Sequence, residues 1–599
     1  MSLSSKVTIK FVCVDSNTAR IDFYGNSASD LNQVNNFIYS SMGFLDESKW
    51  YLGRNLGMKK HECMVFFYDR QARTLQIGLI PRVKDLLVSQ YPGMVSIGID
   101  TEIRRMFTPP HGYVDEQMIR SYAATLKIHN RKTGKVLVPY EHQIRLAVRA
   151  LNGRRVSLLA CTSAGKSLSM MIIARYLLER EHKRRVLIIV PSTNLVEQLY
   201  SDFYNDYGWD NAELYCSRLH STSKDKVSKA DRMKLEALHL GEEAKLKPIT
   251  ISTWQTLQHK RAQFFEVFDA VMVDEAHSTR GEKLRSILSL CENATDFKVG
   301  LSGTLPDTGL DAGLIESNLG HKEEIIRLHE LVAKGILTPV NVVAIVIPYP
   351  PALRPKIKGL HYDTEFDVAT ENGSRKDIID MLIANNRITV KQNTVVLFRY
   401  IDNLEVLAAH MKEHHPEFKY FIIKGDVPTD EREDIRKSIE TSTGNFIIAT
   451  YGCMQQGVNI KLLHNLIMAD PAKSPYMVVQ SIGRIVRKHE DKPQATVFDL
   501  VDDASYMGKS YKGMPPNMQL NGLMKQFMYF RKNYYDADKI PVIPVMLDGV
   551  YMAKVDIDDL ESRIAEAVRK AKEAKEKKLA KKAASTSTYK SKFIFNSTT

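Results

Sequence analysis

The sequence predicts an α/β protein in which two parallel-sheet domains follow one another along the chain. The chain has 599 residues, about four times the length of a typical domain. From residue 127 onward, short apolar runs alternate with amphipathic helical stretches, which is the pattern of parallel strands buried on both faces. A second series of such runs begins near Asn341. We therefore expect two parallel sheets in tandem.

The composition is that of an ordinary folded chain and excludes several classes of protein. Hydrophobic residues make up 44% and charged residues 26%, which excludes a mainly disordered chain. No stretch approaches the ~18–20 consecutive apolar residues of a membrane span, and no signal peptide is visible at the start, so no membrane partner is expected. The six cysteines are scattered without a C-x-x-C pair, which argues against a zinc ribbon and favours a reducing compartment.

Residues 1–110 are expected to form a small α+β accessory domain, for which we predict DNA binding from its position beside the two larger domains. Alternating apolar residues predict strands, and amphipathic spacing predicts helices. The predicted strands are residues 6–15, 19–25, 64–69 and 74–80, the last two as a pair, and the helices are residues 30–40 after the cap Ser29 and a segment beginning at Pro81.

The rest of the chain divides into three further parts. We expect a first parallel-sheet domain over residues 111–318 and a second over residues 319–505, with its strands ending at Asp503. Residues 506–599 are expected to form a helical extension with a basic tail. Net charge is +13, and residues 569–592 contain ten of the Lys and Arg residues against two Glu. This tail either keeps the protein soluble or supplies non-specific phosphate contacts.

The strongest local signal is the string from Ala160 to Ser167, which lies between an apolar strand and an apolar helix. A loop in this position cradles phosphates, because its N–H groups and the helix N-terminus attract anions. Lys166 would neutralise the β- and γ-phosphates, and Ser167 would hold Mg²⁺. The loop residues expected to line the cradle are Thr162, Ser163, Ala164 and Gly165. ATP and Mg²⁺ are the cofactors expected here.

A pair of carboxylates ends another apolar strand farther along the chain. Asp274 and Glu275 follow the run Val271–Val273. Phosphoryl hydrolysis needs one carboxylate in the metal shell and one that polarises water. Asp274 suits the first role and Glu275 the second.

Together with Ser302-Gly303-Thr304, these strings resemble the motifs of superfamily 2 helicases and translocases. The resemblance covers residues 127–503 and implies two RecA-like domains. It also implies an arginine-finger motif, in which guanidinium groups reach across the inter-domain cleft and stabilise charge on the transferring phosphate oxygens. The residues that match this motif are Gln480, Arg484 and Arg487.

The same resemblance implies roles for smaller motifs. The residues similar to the family's other cofactor-binding positions are Tyr140, Gln143, Gly457 and Asn459, with Gln143 pairing with adenine. The residues similar to its nucleic-acid motifs are Pro191, Thr193, Thr253, Trp254, Gly425 and Thr450, although Trp254 is equally consistent with a core position. Ser302 and Thr304 would couple hydrolysis to domain movement.

Within the superfamily, the chain is most similar to the recombination DNA helicases of T-even-like bacteriophages. The strings that carry this similarity are residues 187–203, 252–257, 297–305, 480–489 and 495–504. The resemblance implies an ATP-dependent helicase that unwinds forks, R-loops (with their RNA) and recombination intermediates and promotes branch migration in phage recombination, repair and replication. It implies a monomer in the cytoplasm of an infected bacterium, with recombination or single-strand-binding proteins as partners.

Three other functions are also compatible with parts of the sequence. One is a double-strand DNA translocase that does not separate strands, and another is an RNA helicase of the DEAH type, since His277 departs from the DEAD pattern. The third is a non-enzymatic nucleic-acid-binding protein on an inactive motor scaffold. That interpretation is disfavoured because Lys166, Glu275 and Arg487 are all present.

Overall fold

The computed structural model describes most of the chain, which divides into two compact units, Met1–Leu328 and His329–Thr599. The described residues are 3–53, 58–209, 214–216, 247–352, 354–357, 360, 362–371, 374–425, 427, 429–455, 460–472, 474–507, 518–547, 562, 565, 566, 569 and 573. Most of the predicted basic tail therefore lies outside the described residues. No helix within the described ranges has the length and apolar character needed to span a membrane.

The N-terminal part of the first unit is a five-stranded mixed sheet covered by helices. Its strand order is β5-β6-β2-β1-β7, and every pair is antiparallel except β1 and β7; β3 and β4 form a separate ladder. The strands are β1 (Val7–Cys13), β2 (Thr18–Tyr24), β3 (Gly43–Leu45), β4 (Met64–Phe66), β5 (Tyr68–Asp69), β6 (Thr74–Gln76) and β7 (Val95–Ile99). The helices are Ala28–Ser41, Glu47–Gly53, Ile80–Gln90 and Thr101–Phe107, with 3₁₀ turns at Lys60–Cys63 and Ile77–Leu79.

Two local predictions for this region are wrong. The first helix is capped by Ser27 rather than Ser29, because the Ser27 hydroxyl accepts the Asp30 N–H at 3.2 Å. The predicted pairing of residues 64–69 with residues 74–80 is also only partly present. β4 pairs with β3 instead, and the apolar residues after β6 form a buried 3₁₀ turn. A short apolar run does not distinguish a strand from a buried turn.

The second part of the first unit is a seven-stranded sheet with all strands parallel, which confirms the predicted α/β class. Its order is β10-β11-β9-β12-β13-β8-β14. The strands are β8 (Arg155–Ala160), β9 (Val186–Val190), β10 (Leu214–Cys216), β11 (Ile249–Thr253), β12 (Ala270–Asp274), β13 (Lys298–Ser302) and β14 (Lys322–Ile326). The helices are Glu116–Thr125, Glu141–Gly153, Lys166–Glu179, Thr193–Ser201, Trp254–Leu257, Ala262–Phe265, Glu282–Leu290 and Gly309–Leu319, with a π-helical turn at Asp202–Asp206 and a 3₁₀ turn at Ala276–Arg280.

The small mixed sheet packs on this parallel-sheet domain through its turns. Asn17, between β1 and β2, accepts a hydrogen bond from the buried Lys298 ammonium at 2.9 Å. Gly78 lies so close to the helix Gly309–Leu319 that a Cβ there would be 2.2 Å from the Glu316 carbonyl oxygen. Arg82 pairs with the Glu316 carboxylate at 2.6 Å. The two parts of the first unit are therefore closely joined.

The second unit contains another seven-stranded parallel sheet, of order β17-β18-β16-β19-β20-β15-β23. The strands are β15 (Val340–Pro348), β16 (Thr394–Phe398), β17 (Lys419–Ile423), β18 (Asn445–Thr450), β19 (Asn465–Met468), β20 (Ala495–Asp503), the ladder β21 (Tyr506–Met507) with β22 (Met518–Gln519), and β23 (Val542–Met546). The helices are Leu328–Ala333, Arg354–Ile357, Tyr362–Glu371, Ser374–Ala384, Ile401–His414, Thr429–Glu440, Tyr451–Gln455, Pro475–Ile485, Gly522–Gln526 and Lys532–Ala537, with a π-helical turn at Phe527–Arg531.

The prediction that the strands end at Asp503 is wrong, because β23 adds a strand to the sheet beyond that point. Among the described strands, β23 pairs with β15 alone, and it carries Pro544 opposite Ala344. Proline has no N–H to donate to the neighbouring strand, so in a sequence it argues against a strand. An edge strand tolerates proline, because one of its sides has no neighbour. Whether this strand lies at an edge is decided by the tertiary structure.

Residues 522–537 are helical, as predicted for the extension, and they pack on the second sheet. Arg531 donates to the Asp499 carboxylate at 2.6 Å, and the Tyr535 hydroxyl donates to the same carboxylate at 2.9 Å. All three side chains are buried. Burial raises the pKa of Asp499, and the Arg531 charge opposes that rise.

We expect Arg531→Ala to lower the free energy of unfolding of the second unit by about 3–5 kcal/mol, because it leaves the Asp499 carboxylate buried without its cation. Urea unfolding followed by circular dichroism measures the change. Lys532→Ala is the matched control on the same helix, because its pair with Asp536 is exposed and should contribute less than about 1 kcal/mol. Equal effects of the two substitutions would show that burial gives the Arg531–Asp499 pair no special weight.

Candidate functional site

Three loops of the first unit meet because their strands are neighbours in register. β13 lies between β12 and β8, with Asp274 opposite Leu301 and Ser302 opposite Leu159. The strands are parallel, so their carboxyl ends lie at one edge of the sheet, where open α/β sheets bind ligands. The phosphate-cradle loop, the acidic pair and the Ser302–Thr304 string therefore converge at this edge.

The loop after β8 has the backbone shape of a phosphate cradle. Ser163 and Gly165 have positive φ angles of 70° and 75°, and the helix Lys166–Glu179 begins directly after them. A Cβ at Gly165 would lie 2.2 Å from Gln143 Nε2. Only glycine fits here, both for its φ angle and for the space available. The Thr162 hydroxyl oxygen is buried and has no hydrogen-bond partner among the described residues, so this hydroxyl is available to a ligand, and its phosphate contact stays a prediction.

Gln143 braces this loop. Its Oε1 accepts the Tyr140 N–H at 2.9 Å, and its Nε2 donates to the Ala164 and Gly165 carbonyls at 3.2 Å each. Both ends of the amide are thus used by the backbone, and the pairing of Gln143 with adenine stays a prediction. The Tyr140 ring is 52% exposed and stacks on His142, with ring centroids 5.7 Å apart.

Lys166 and Ser167 open the helix after the loop. Lys166 Nζ donates to the Ala160 carbonyl at 3.3 Å. Ser167 Oγ lies 2.7 Å from the hydroxyl oxygen of Tyr207. Burial raises the pKa of Tyr207, which keeps this phenol neutral. Tyr207 belongs to no recognisable motif, and sequence reasoning missed it.

The acidic pair is electrostatically strained. Burial and the negative charge of Glu275 raise the pKa of Asp274 to about 6. Burial acts in the same direction on Glu275, but a hydrogen bond with His277 and the positive charge of Lys166 outweigh it and hold the pKa of Glu275 at about 2. Glu275 also has a positive φ of 51°, which is uncommon for a residue with a side chain. The positive charges and hydrogen bonds around the pair therefore stabilise the charge of Glu275 more than that of Asp274.

These residues fit the expected Mg²⁺ and nucleotide. Mg²⁺ prefers hard oxygen ligands, and the Ser167 hydroxyl with the Asp274 carboxylate supplies them. The raised pKa of Asp274 shows that its charge is poorly compensated, and a divalent cation would compensate it. Lys166 is close enough to both carboxylates to lower their pKa values, so phosphates beside it would lie next to the acidic pair.

The hydroxyl of Ser302 links the acidic pair to the following loop. Ser302 Oγ lies 3.2 Å from Glu275 Oε2 and 3.1 Å from His277 Nδ1. It also accepts the Thr304 N–H at 3.2 Å and lies 2.7 Å from the Thr304 carbonyl oxygen. The coupling role of Ser302 and Thr304 stays a prediction, but these contacts put Ser302 beside Glu275 and join Thr304 to Ser302. In the sequence, His277 serves only to distinguish this chain from the DEAD pattern. In the structure, His277 belongs to the hydrogen-bond network of Glu275 and Ser302.

The nucleic-acid motifs of the first unit lie along the same edge. β9 adjoins β12, and β9 and β11 end side by side, with Val190 opposite Thr253. The Pro191 carbonyl accepts a hydrogen bond from Gln255 at 3.1 Å. Thr253 caps the short helix Trp254–Leu257. Thr193 is the first residue of the helix Thr193–Ser201 and is exposed. Trp254 is partly buried against the hydrophobic core, so both interpretations of this residue stay open.

The second unit brings some of its predicted residues together. β17 and β18 are neighbours, so Gly425, just after β17, and Thr450, the last residue of β18, lie at adjacent carboxyl ends. Gln480 and Arg484 lie four residues apart on the helix Pro475–Ile485, and both are partly exposed. Arg487 follows this helix, and its carbonyl accepts the Thr338 hydroxyl at 3.1 Å. The remaining two predicted cofactor residues, Gly457 and Asn459, lie outside the described residues.

We expect Gly165→Ala to weaken ADP binding about tenfold, because the free loop relaxes away from the left-handed backbone and restoring it on binding costs about 1–2 kcal/mol. The new methyl group also displaces Gln143 from the loop. Isothermal titration calorimetry measures the affinity, and circular dichroism checks the fold. Gly98→Ala is the control, since a Cβ there would meet only ordinary contacts at 3.7 Å and beyond. Wild-type ADP affinity in Gly165→Ala would refute the cradle geometry.

Known proteins and protein families are similar to large parts of this chain. Residues 113–307 match the family described as type III restriction enzyme, res subunit, and residues 374–489 match the helicase conserved C-terminal domain. The ATP-dependent DNA helicase UvsW of Enterobacteria phage T4 is 31% identical over 402 residues, which cover 67% of this chain and 76% of that protein.

Two crystal structures of T4 UvsW are also similar. One is 26% identical and covers 90% of this chain and 99% of its own, with a TM-score of 0.41. The other is 25% identical and covers 53% and 99%, with a TM-score of 0.40. The level of identity with UvsW, over three quarters of that protein, and the matches to both halves of a helicase motor confirm the predicted family. This chain belongs to the UvsW family of superfamily 2 ATP-dependent helicases.

Proposed function

We propose that this chain is an ATP-driven DNA helicase that acts on branched DNA, namely forks, R-loops and recombination intermediates, in phage recombination, repair and replication. The relative T4 UvsW is described as an ATP-dependent DNA helicase. The proposal also places the chain in the cytoplasm of an infected bacterium as a monomer, with recombination or single-strand-binding proteins as partners.

The observation that carries the proposal is the shared edge of the first sheet. β12, which ends at Asp274, has β9 on one side and β13 on the other. β9 leads into the nucleic-acid motif at Pro191, whereas β13 leads into the Ser302 network. Hydroxyls and main-chain N–H groups at helix starts bind phosphate oxygens without reading sequence. A backbone-tracking site thus adjoins a nucleotide site, which is what an ATP-driven motor needs.

Each residue of the nucleotide site has a proposed role in hydrolysis. Lys166 neutralises the β- and γ-phosphates, and Ser167 with Asp274 holds Mg²⁺. Glu275, ionised and held by His277, orients and polarises the attacking water. In the second unit, Gln480, Arg484 and Arg487 form the arginine-finger motif, because a guanidinium stabilises charge on the transferring oxygens.

A second candidate function is translocation on double-stranded DNA without strand separation. The specific observation in its favour is the match of residues 113–307 to a restriction-enzyme family. The two functions differ in the nucleic acid that stimulates ATP hydrolysis most.

The ATPase rate should be highest with forked or four-way DNA. The rates to compare are those without nucleic acid and with single-stranded DNA, blunt duplex, branched DNA and matched RNA. Strongest stimulation by blunt duplex would favour the translocase, and preference for RNA would overturn the DNA assignment.

Lys166→Ala should abolish turnover in every condition while DNA binding survives, because the phosphates lose their compensating charge. Retained turnover in that variant would refute the nucleotide site.

Arg487→Ala should lower the rate of ATP hydrolysis by on the order of 10³-fold while ATP binding is nearly unchanged, if Arg487 acts as an arginine finger. Single-turnover hydrolysis and nucleotide titration separate the two steps. Lys488→Ala is the control, because this neighbouring lysine is exposed and donates to the Gly335 carbonyl in the same unit. A similar loss in both variants would point to a structural role for this segment.

A further inference from the structure

Tyr207 lies at the end of a helical segment with an unusual turn. The helix Thr193–Ser201 continues into the π-helical turn Asp202–Asp206, which closes with a hydrogen bond from the Tyr207 N–H to the Asp202 carbonyl at 2.9 Å. Single π turns within helices occur frequently at functional sites. This one puts the Tyr207 hydroxyl 2.7 Å from Ser167 Oγ.

The segment around Tyr207 is held from one side by Arg131. The Arg131 guanidinium donates to the carbonyls of Tyr204, Gly208 and Trp209 at 2.8, 3.1 and 3.2 Å. It also lies over the Tyr204 ring, 4.5 Å from the centroid. These contacts engage the backbone on both sides of Tyr207, so they limit its movement.

The opposite side of the segment is attached to the helix that carries Ser167. Trp209 is buried and stacks on Phe203, with ring centroids 5.5 Å apart. Arg175, on the helix Lys166–Glu179, lies over the Trp209 ring at 5.2 Å from its centroid. The hydroxyls of Tyr207 and Ser167 therefore belong to two elements that are tied together at a second point. Their hydrogen bond is one contact of a larger, ordered interface.

The chemistry of a hydroxyl gives this bond a consequence for metal binding. A serine hydroxyl has one proton and two lone pairs, and a bound cation uses a lone pair, so the proton must point elsewhere. Groups behind a metal ligand orient it in this way and tune its affinity. We propose that Tyr207 is a positioning residue for Mg²⁺: its hydroxyl oxygen accepts the Ser167 proton and thereby directs a Ser167 lone pair toward the metal. This inference rests on the proposed role of Ser167 as a metal ligand.

Tyr207→Phe tests the inference, because it removes the hydroxyl and keeps the ring. Mn²⁺ binding to the full-length protein in the presence of ADP, followed by electron paramagnetic resonance, should become about 10–100-fold weaker. The Mg²⁺ concentration that gives half-maximal ATPase activity should rise by a similar factor. ADP binding in the presence of EDTA should stay at the wild-type value, since the phosphate cradle itself is unchanged.

Two variants separate the outcomes. Tyr204→Phe removes another hydroxyl from the same segment and should leave Mn²⁺ binding unchanged. Ser167→Ala should weaken Mn²⁺ binding, and wild-type Mn²⁺ affinity in this variant would contradict the proposed metal ligand itself. Weaker binding in Ser167→Ala with wild-type binding in Tyr207→Phe would overturn only the role of Tyr207. Loss of metal-free ADP binding in Tyr207→Phe would also overturn it, by showing that Tyr207 shapes the loop.

Discussion

The parallel register of β8, β13 and β12 is the constraint on which the proposed nucleotide site depends. Ser302 lies opposite Leu159, and Asp274 lies opposite Leu301, so the three strands end level with one another. A one-residue shift in any of them would turn its side chains to the other face of the sheet. The strands are buried on both faces, and this burial holds the register.

The residues at this edge include unfavourable arrangements of charge and backbone. Two adjacent carboxylates are partly buried, and the pKa of Asp274 is raised while that of Glu275 is lowered. Glu275 and Ser163 both have positive φ angles. Strain of this kind persists where the surrounding structure imposes it, and here the register of the strands and the bracing by Gln143 impose it. Mg²⁺ bound with a nucleotide would balance the negative charge of Asp274 and Glu275. The arrangement therefore favours binding of that ligand.

The helix Gly309–Leu319 connects this site with the N-terminal sheet. Arg280, in the turn after the acidic pair, contacts Asp311 on this helix at 3.2 Å. On another side of the helix, Gly78 packs against the Glu316 backbone and Arg82 pairs with the Glu316 side chain. The N-terminal sheet therefore rests on an element that also contacts the acidic loop, which is closer integration than a linker-joined accessory domain would have.

The sequence by itself determined the α/β class, the two parallel sheets and the residues of the phosphate cradle and acidic pair, because apolar periodicity and short motifs are local properties of the chain. The tertiary structure alone decided features that depend on distant partners. Gln143 braces Gly165, Tyr207 contacts Ser167, and β23 joins an edge that tolerates its proline. Each of these pairs joins residues far apart in the chain through packing, and no local pattern encodes which partner a side chain meets.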